Sequence, residues 1–305
     1  MIMKNDELLP PLPLDEWEAT YHTLHIFFQI IGKIKLALNP PRNHWWHVPL
    51  YVSSSGVTTG SIPYGGWNFS MDFNFIDETL NISTSRGQSK SLNLKGISVA
   101  DFYKTVFAYL SELGIEVHIQ TRPFDMSDTS DIPFETDTTH NTYDGEYVRK
   151  YWSILVMVSG VFQEFQGRFM GKCTPVHLFW HHMDLALTFF SGKKGPSRPE
   201  AGIVEREAYT HEVISFGFWA GDKNVREPAF YAYAYPQPDG LMDEPLKPAE
   251  AFWNKDAGMA LLMYNAVREQ SSPRDALLAF LESVYQAASL KMGWNDDEFR
   301  YTPPS

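Results

Sequence analysis

Residues 67–75 read Trp-Asn-Phe-Ser-Met-Asp-Phe-Asn-Phe. Trp67, Phe69, Met71, Phe73 and Phe75 alternate with Asn68, Ser70, Asp72 and Asn74. Successive strand side chains point to opposite faces, so this is a half-buried β-strand with one aromatic face. Such a face needs a cover, and the flanking segments supply helices. Upstream, Trp17, Tyr21, Leu24, Phe28, Ile31 and Leu38 recur at helical spacing and predict a helix over 14–38 with one apolar face. Asp15 and Glu16 sit in its first turn, where the helix dipole favours negative charge, and Asn39-Pro40-Pro41 ends it. Downstream, Ser98 and Asp101 form a capping-box pattern that opens a helix to about Leu113, terminated by Gly114. Further strands are expected at Trp45–Ser53, Leu80–Thr84, Leu92–Leu94 and Val117–Thr121.

The same order then recurs. Residues 123–142 lose all periodicity and are rich in Asp, Thr and Ser, as a solvated connector would be. A helix from Asp144 to Gly171 follows, with Tyr151, Ile154, Val158, Val161, Phe165 and Phe169 on one face. Strands are expected at Val176–Trp180, Leu185–Phe190, His211–Trp219, Ala229–Tyr235 and Met259–Tyr264. Ser272, with Pro273 in the first helical position, starts a closing helix that runs to Met292. Both closing helices begin Ser-x-x-Asp, and Gly32 and Gly160 fall at similar points of the two long helices. The expected fold is therefore α+β, with two similar helix–antiparallel sheet–helix halves arising by internal duplication and packed as one compact body. The halves are 14–122 and 143–294, joined by the acidic connector 123–142; residues 1–13 form a proline-rich extended leader.

Composition narrows the function classes. The 305-residue chain carries a formal charge of -12, which opposes binding to nucleic acid or to an anionic membrane surface. Its single cysteine, Cys173, rules out an internal disulfide and fits a reducing compartment. No signal-peptide pattern opens the chain and no apolar run reaches membrane-spanning length, so a cytoplasmic location is expected. Aromatic residues make up 15% of the chain, enough for an aromatic core or an aromatic-lined pocket.

Three stretches point to a family: Asn43-His-Trp-Trp-His-Val-Pro-Leu-Tyr51, the run Lys172-Cys-Thr-Pro-Val-His177, and Glu227-Pro-Ala-Phe-Tyr-Ala-Tyr-Ala-Tyr-Pro236. With them the chain resembles a bacterial family catalogued as a domain of unknown function, number 5996, over about Leu12 to Trp294. The resemblance implies a full-length, single-family protein rather than a fusion. No established activity accompanies that family, so it assigns no catalytic residue. His177 and Asp184 lie in the shared motif, whereas His181 and His182 depart from it, which argues against a metal site on that pair.

Candidate chemistry centres on Lys172–Gly192, where His177, His181, His182 and Asp184 fall among Phe179, Trp180, Phe189 and Phe190. His177 and His211, with Asp184 to orient a ring, are the expected catalytic groups. His44, His47, His177 and His211 with Glu212 lie at predicted strands, and three such ligands would hold zinc or iron with an open position. No His-Glu-x-x-His or paired Cys-x-x-Cys supports that set, and scattered histidines commonly serve as core or surface hydrogen-bonders. Strand parity puts Tyr231, Tyr233 and Tyr235 on one face, and His211, Ser215, Gly217 and Trp219 on one face of the neighbouring strand. Trp46, Tyr51, Trp180, Trp219, Tyr231 and Tyr233 are the expected ligand-binding residues of a pocket between the halves; a tyrosine ladder on a solvated sheet is the competing reading. Cys173 ends a helix, where the dipole opposes a thiolate, and reads as inert. The loop Ser191–Arg198 has glycines and cations suited to a phosphate or carboxylate, but lacks the phosphate-loop spacing. Neither a nucleophile-elbow nor a dinucleotide-binding motif is present. Two functions remain: an enzyme acting on a small aromatic or apolar molecule, metal-assisted or not, or a non-catalytic carrier or sensor using the same pocket.

Overall fold

The computed structural model describes residues 9–126 and 131–301. Parts of the expected leader (1–8) and connector (127–130) lie outside the described residues, as do 302–305. The fold is α+β, built around helix α1 (Glu18–Leu38). Its expected apolar stripe packs as predicted: Phe28 meets Phe73 with ring centroids 4.9 Å apart, and Phe27 stacks on Phe102 at 4.0 Å. The opposite side departs from the one-faced expectation, because His25, Gln29 and Lys33 are buried too, and Lys35 is buried within the stripe itself. They are tolerated there because each bonds to backbone. His25 contacts the carbonyl of His181, Gln29 brackets the N–H and C=O of Phe124, Lys33 donates to the carbonyls of Gln120 and Arg122, and Lys35 to those of Pro49 and Thr59.

The first sheet comprises β1 (Tyr51–Val52), β2 (Gly56–Thr58), β3 (Ile62–Tyr64), β4 (Trp67–Asn74), β5 (Thr79–Thr84) and β6 (Ser89–Asn93). Its antiparallel order is β1-β2-β4-β5-β6, with β3 also on β4. Helix α2 (Val99–Glu112) completes the cover, and Ser98 caps it by accepting the Asp101 N–H at 3.1 Å. Three expectations are corrected here. Trp45–Ser53 is strand only at Tyr51–Val52, because His44 and Trp45 take left-handed φ values of 56° and 59° in a 3-10 turn over Asn43–Trp45. Val117–Thr121 is no strand: Lys33 and Gln29 engage carbonyls and an N–H of 120–124, which run as extended chain along α1. Nor is the connector merely solvated. Phe134 is fully buried, and the carbonyls of Asp137 and His140 accept the N–H groups of Ala100 and Val99 at the start of α2.

The second half runs α3 (Gly145–Gln166), β7 (His177–Phe179), β8 (Asp184–Lys194), α4 (Ile203–Ala208), β9 (His211–Trp219), β10 (Ala229–Tyr235), β11 (Phe252–Asn254), β12 (Met259–Met263), α5 (Tyr264–Arg268), α6 (Pro273–Lys291) and α7 (Asp296–Phe299). The sheet order is β11-β12-β10-β9-β8-β7, antiparallel throughout. One face carries Phe189 and Phe216 onto Phe165 of α3, at 5.2 and 5.1 Å, with Tyr285 of α6 alongside at 5.9 Å from Phe189. The order long helix, antiparallel sheet, helix thus occurs twice. No helix among the described residues is long and apolar enough to cross a membrane.

The sheets meet edge to edge. Leu50, just before β1, and Leu178 of β7 exchange both backbone hydrogen bonds at 2.8 Å. Beside this seam Trp180 lies flat against Gly32 of α1 and donates its indole N–H to the Val48 carbonyl at 3.2 Å. Residues 9–13 are packed: Leu9 and Leu12 are buried, Tyr264 donates to the Pro10 carbonyl at 2.8 Å, and Arg268 to that of Leu9 at 3.2 Å.

Gly32 and Gly160 give opposite expectations. A Cβ on Gly32 would stand 2.3 Å from the Trp180 indole, whereas nothing lies within 4 Å of one on Gly160. Gly32→Ala should cost about 1–3 kcal/mol by overpacking. Gly160→Ala should be neutral or stabilise by up to about 1 kcal/mol, since it removes a helix glycine. Denaturant titration of both variants checks the pair.

Candidate functional site

Register decides which expected site residues meet. His177 pairs with Ala186 on β8, Ala186 with Gly217 on β9, and Gly217 with Tyr231 on β10. This row lies on the sheet face turned away from α3 and α6. Asp184 pairs with Phe179 and stands diagonally from His177, a separation of roughly 7 Å in antiparallel sheets. Continued by one residue, the same register brings Asp184 opposite Trp219. On the other side of His177, the Leu50–Leu178 bridge sets Tyr51 opposite it across the seam.

Gly217 gives the site its shape. A Cβ there would lie 2.2 Å from the Tyr231 ring, so only glycine lets that ring lie across β9. Thus placed, the Tyr231 hydroxyl reaches β8 and donates to Oδ2 of Asp184 at 2.6 Å. Trp219 flanks the ring at 5.8 Å and Tyr233 stacks on its other side at 6.1 Å. Tyr233 shares a hydrogen bond with Tyr209 at 2.8 Å, and Thr188 and Ser215 share one at 2.9 Å. His177 rests edge-on to Phe179 at 4.6 Å.

The chemistry of the site lies in the atoms left without partners. Among the described residues, both ring nitrogens of His177, Oδ1 of Asp184 and Nε1 of Trp219 are buried with no hydrogen-bond partner. Each such group costs about 1–3 kcal/mol, and four of them surround one phenol–carboxyl pair. Burial raises the Asp184 carboxyl above its usual range, opposed by His182 and by the Tyr231 hydrogen bond. Burial, aided by the nearby Lys35 ammonium, pushes His177 down to about 3, so its ring is neutral at physiological pH. The Tyr231 hydroxyl is held well above its ordinary value by burial and by Asp184. All three groups therefore stay neutral more readily than in water.

Other expected site residues lie elsewhere. His211 shares the sheet face of His177 but begins β9, roughly 20 Å along the strand from Gly217 at ~3.3 Å per residue. It sits with His44, ring centroids 5.4 Å apart, beside Trp46 and Phe190. His47 stacks on Trp45 and accepts the Arg42 N–H at 3.1 Å. Glu212 has the opposite parity on β9 and binds Ser191 and Trp294. The metal set His44, His47, His177, His211 and Glu212 is thus dispersed, and among the described residues no three His, Cys, Asp or Glu side chains are placed to share an ion. Trp180 belongs to the core against Gly32 rather than to the pocket. Cys173 receives only a Gln166 amide contact at 3.5 Å. Gly217, Tyr209 and Lys35 were not anticipated as site residues; the lone glycine inside a strand pattern was the available signal.

Acid stability should report His177. Its folded pKa is lowered from 6.5 to about 3, so its contribution is complete above pH 6.5 and is lost as pH falls toward 3. Between pH 7 and pH 5 the loss is on the order of 2 kcal/mol. His177→Leu should remove that part of the pH dependence, read from denaturation midpoints at the two pH values. Asp184 has the reverse sign, since its folded pKa is raised. Its contribution is complete below about 3.8 and is lost as pH rises, so Asp184→Asn should gain relative stability toward neutral pH.

Comparison with known proteins adds one finding. No curated protein and no solved structure matches the chain. A model described as Family of unknown function (DUF5996) matches residues 9–301, and the chain belongs to that family.

Proposed function

We propose that the protein is a cytoplasmic enzyme acting on a small, uncharged aromatic or apolar molecule at the His177–Asp184–Trp219–Tyr231 face beside the seam. What carries this reading is the cluster of unpartnered buried atoms on His177, Asp184 and Trp219 around the Tyr231–Asp184 hydrogen bond. Buried polar groups in native proteins are normally paired, and exceptions gathered in one place mark sites of use. Tyr231 fixes Oδ2 of Asp184 and leaves Oδ1 to exchange a proton with a bound group. The neutral His177 ring offers one donor and one acceptor, and the Trp219 N–H one further donor. Tyr233 and Tyr51 flank this set. These groups suit proton transfer at a carbonyl or hydroxyl held against aromatic walls. The reaction needs no metal in this reading, because the candidate ligands do not converge. Nucleic acid and membrane surfaces are not expected partners for so acidic a chain.

The test is a thermal-shift screen of small aromatic aldehydes, ketones and phenols, followed by product analysis of the compounds that raise Tm. Asp184→Asn and Tyr231→Phe should lower turnover by about 100-fold or more while binding changes little. Compounds that bind but are never converted would make the protein a carrier or sensor. Binding indifferent to Trp219→Ala would place the site elsewhere.

A further inference from the structure

At the far end of the same sheet face stands a second constellation that the reading above does not use. The Lys172 ammonium lies 2.9 Å from Nε2 of His44, over the Trp46 ring at 5.1 Å and over the Phe190 ring at 4.9 Å. His44 Nδ1 is 3.0 Å from the Ala208 carbonyl. Because a carbonyl only accepts, the proton is on Nδ1 and the Nε2 lone pair faces Lys172. Burial lowers the Lys172 pKa, and the two π faces and the imidazole lone pair, which all attract a cation, hold its side chain in a fixed position. His211 adjoins the His44 ring, and Lys194 is its partner in the β8–β9 register.

The local charge balance is unusual for this chain. Acidic residues outnumber basic ones by 37 to 25, yet among the described residues neither Lys172 nor Lys194 has an acidic partner. Of the acids next to His211 and Ala208 in the chain, Glu212 binds Ser191 and Trp294, and Glu207 acts on His47. The backbone that presents the imidazole is strained, with His44 and Trp45 at consecutive left-handed φ values. Such strain persists where surrounding structure enforces it, commonly at binding sites.

We propose that Lys172, Lys194 and His211, framed by His44, Trp46 and Phe190, form a binding site for a small oxyanion, a carboxylate or phosphate group. The aromatic frame orients the Lys172 ammonium and excludes water from its stem, and Lys194 and the half-exposed His211 ring supply further donors. The site is separate from the Asp184 cluster and stands or falls independently of it.

Imidazole and indole NMR signals of the full chain, titrated in parallel with inorganic phosphate and with benzoate at constant ionic strength, test the proposal. Saturable shifts of the His44, His211 and Trp46 signals are expected with at least one of the two probes, and which probe acts distinguishes phosphate from carboxylate. Lys172→Gln should weaken that binding roughly tenfold or more, the usual effect of losing one charge-assisted contact. Lys194→Gln, a change at an exposed side chain, should weaken it with the His44 and Trp46 signals of the free protein unchanged. Shifts that never saturate with either probe, or binding equal to wild type in both variants, would overturn it.

Discussion

Placing two lysines, a histidine and a glutamine on the buried side of one helix is the constraint on which the architecture turns. An ammonium in a protein interior is costly unless its donors are satisfied, and Lys33 and Lys35, whose pKa values burial pushes down to about 8, find no carboxylate among the described residues. Backbone carbonyls take that role instead. As a result three connecting segments, around residues 49, 59 and 120–124, are tied to α1 through their carbonyls. The helix is at once the floor of the first sheet and the anchor of the connections.

That arrangement explains which parts of the fold can be read from sequence. Alternation in residues 67–75 and parity in 211–219 and 229–235 are local signals, and β4, β9 and β10 follow them closely. Val117–Thr121 has strand composition but no strand partner among the described residues, because the surroundings of 120–124 are set by Lys33 and Gln29, 87 to 95 positions earlier. The helical stripe in 14–38 correctly marks the apolar side, yet nothing local shows that the polar side is buried as well. The 3-10 turn at Asn43–Trp45 likewise defeats the β-rich composition of its segment.

The candidate site divides the same way. Parity alone groups Tyr231, Tyr233 and Trp219, and the structure keeps them together. Parity cannot say at which end of a strand a residue lies, so His211 shares a face with His177 but not a site. The contact between Tyr231 and Asp184 depends on Gly217, an absent side chain on the strand between them, and on a register that no short-range pattern encodes. Tyr51 comes near only because two sheets meet through a single pair of leucines.

The packed strap at residues 9–12 bears on how the chain is made. Its hydrogen bonds to Tyr264 and Arg268 span 254 and 259 positions of sequence. Closing so long a loop carries an entropic penalty that local contacts must already have offset, which slows such contacts relative to nearby ones. During synthesis these residues are made long before Tyr264 and Arg268 exist to hold them. The carbonyls of Leu9 and Pro10 therefore wait for these two partners while the intervening chain is made, and the strap is seated by the second half rather than by its own neighbours.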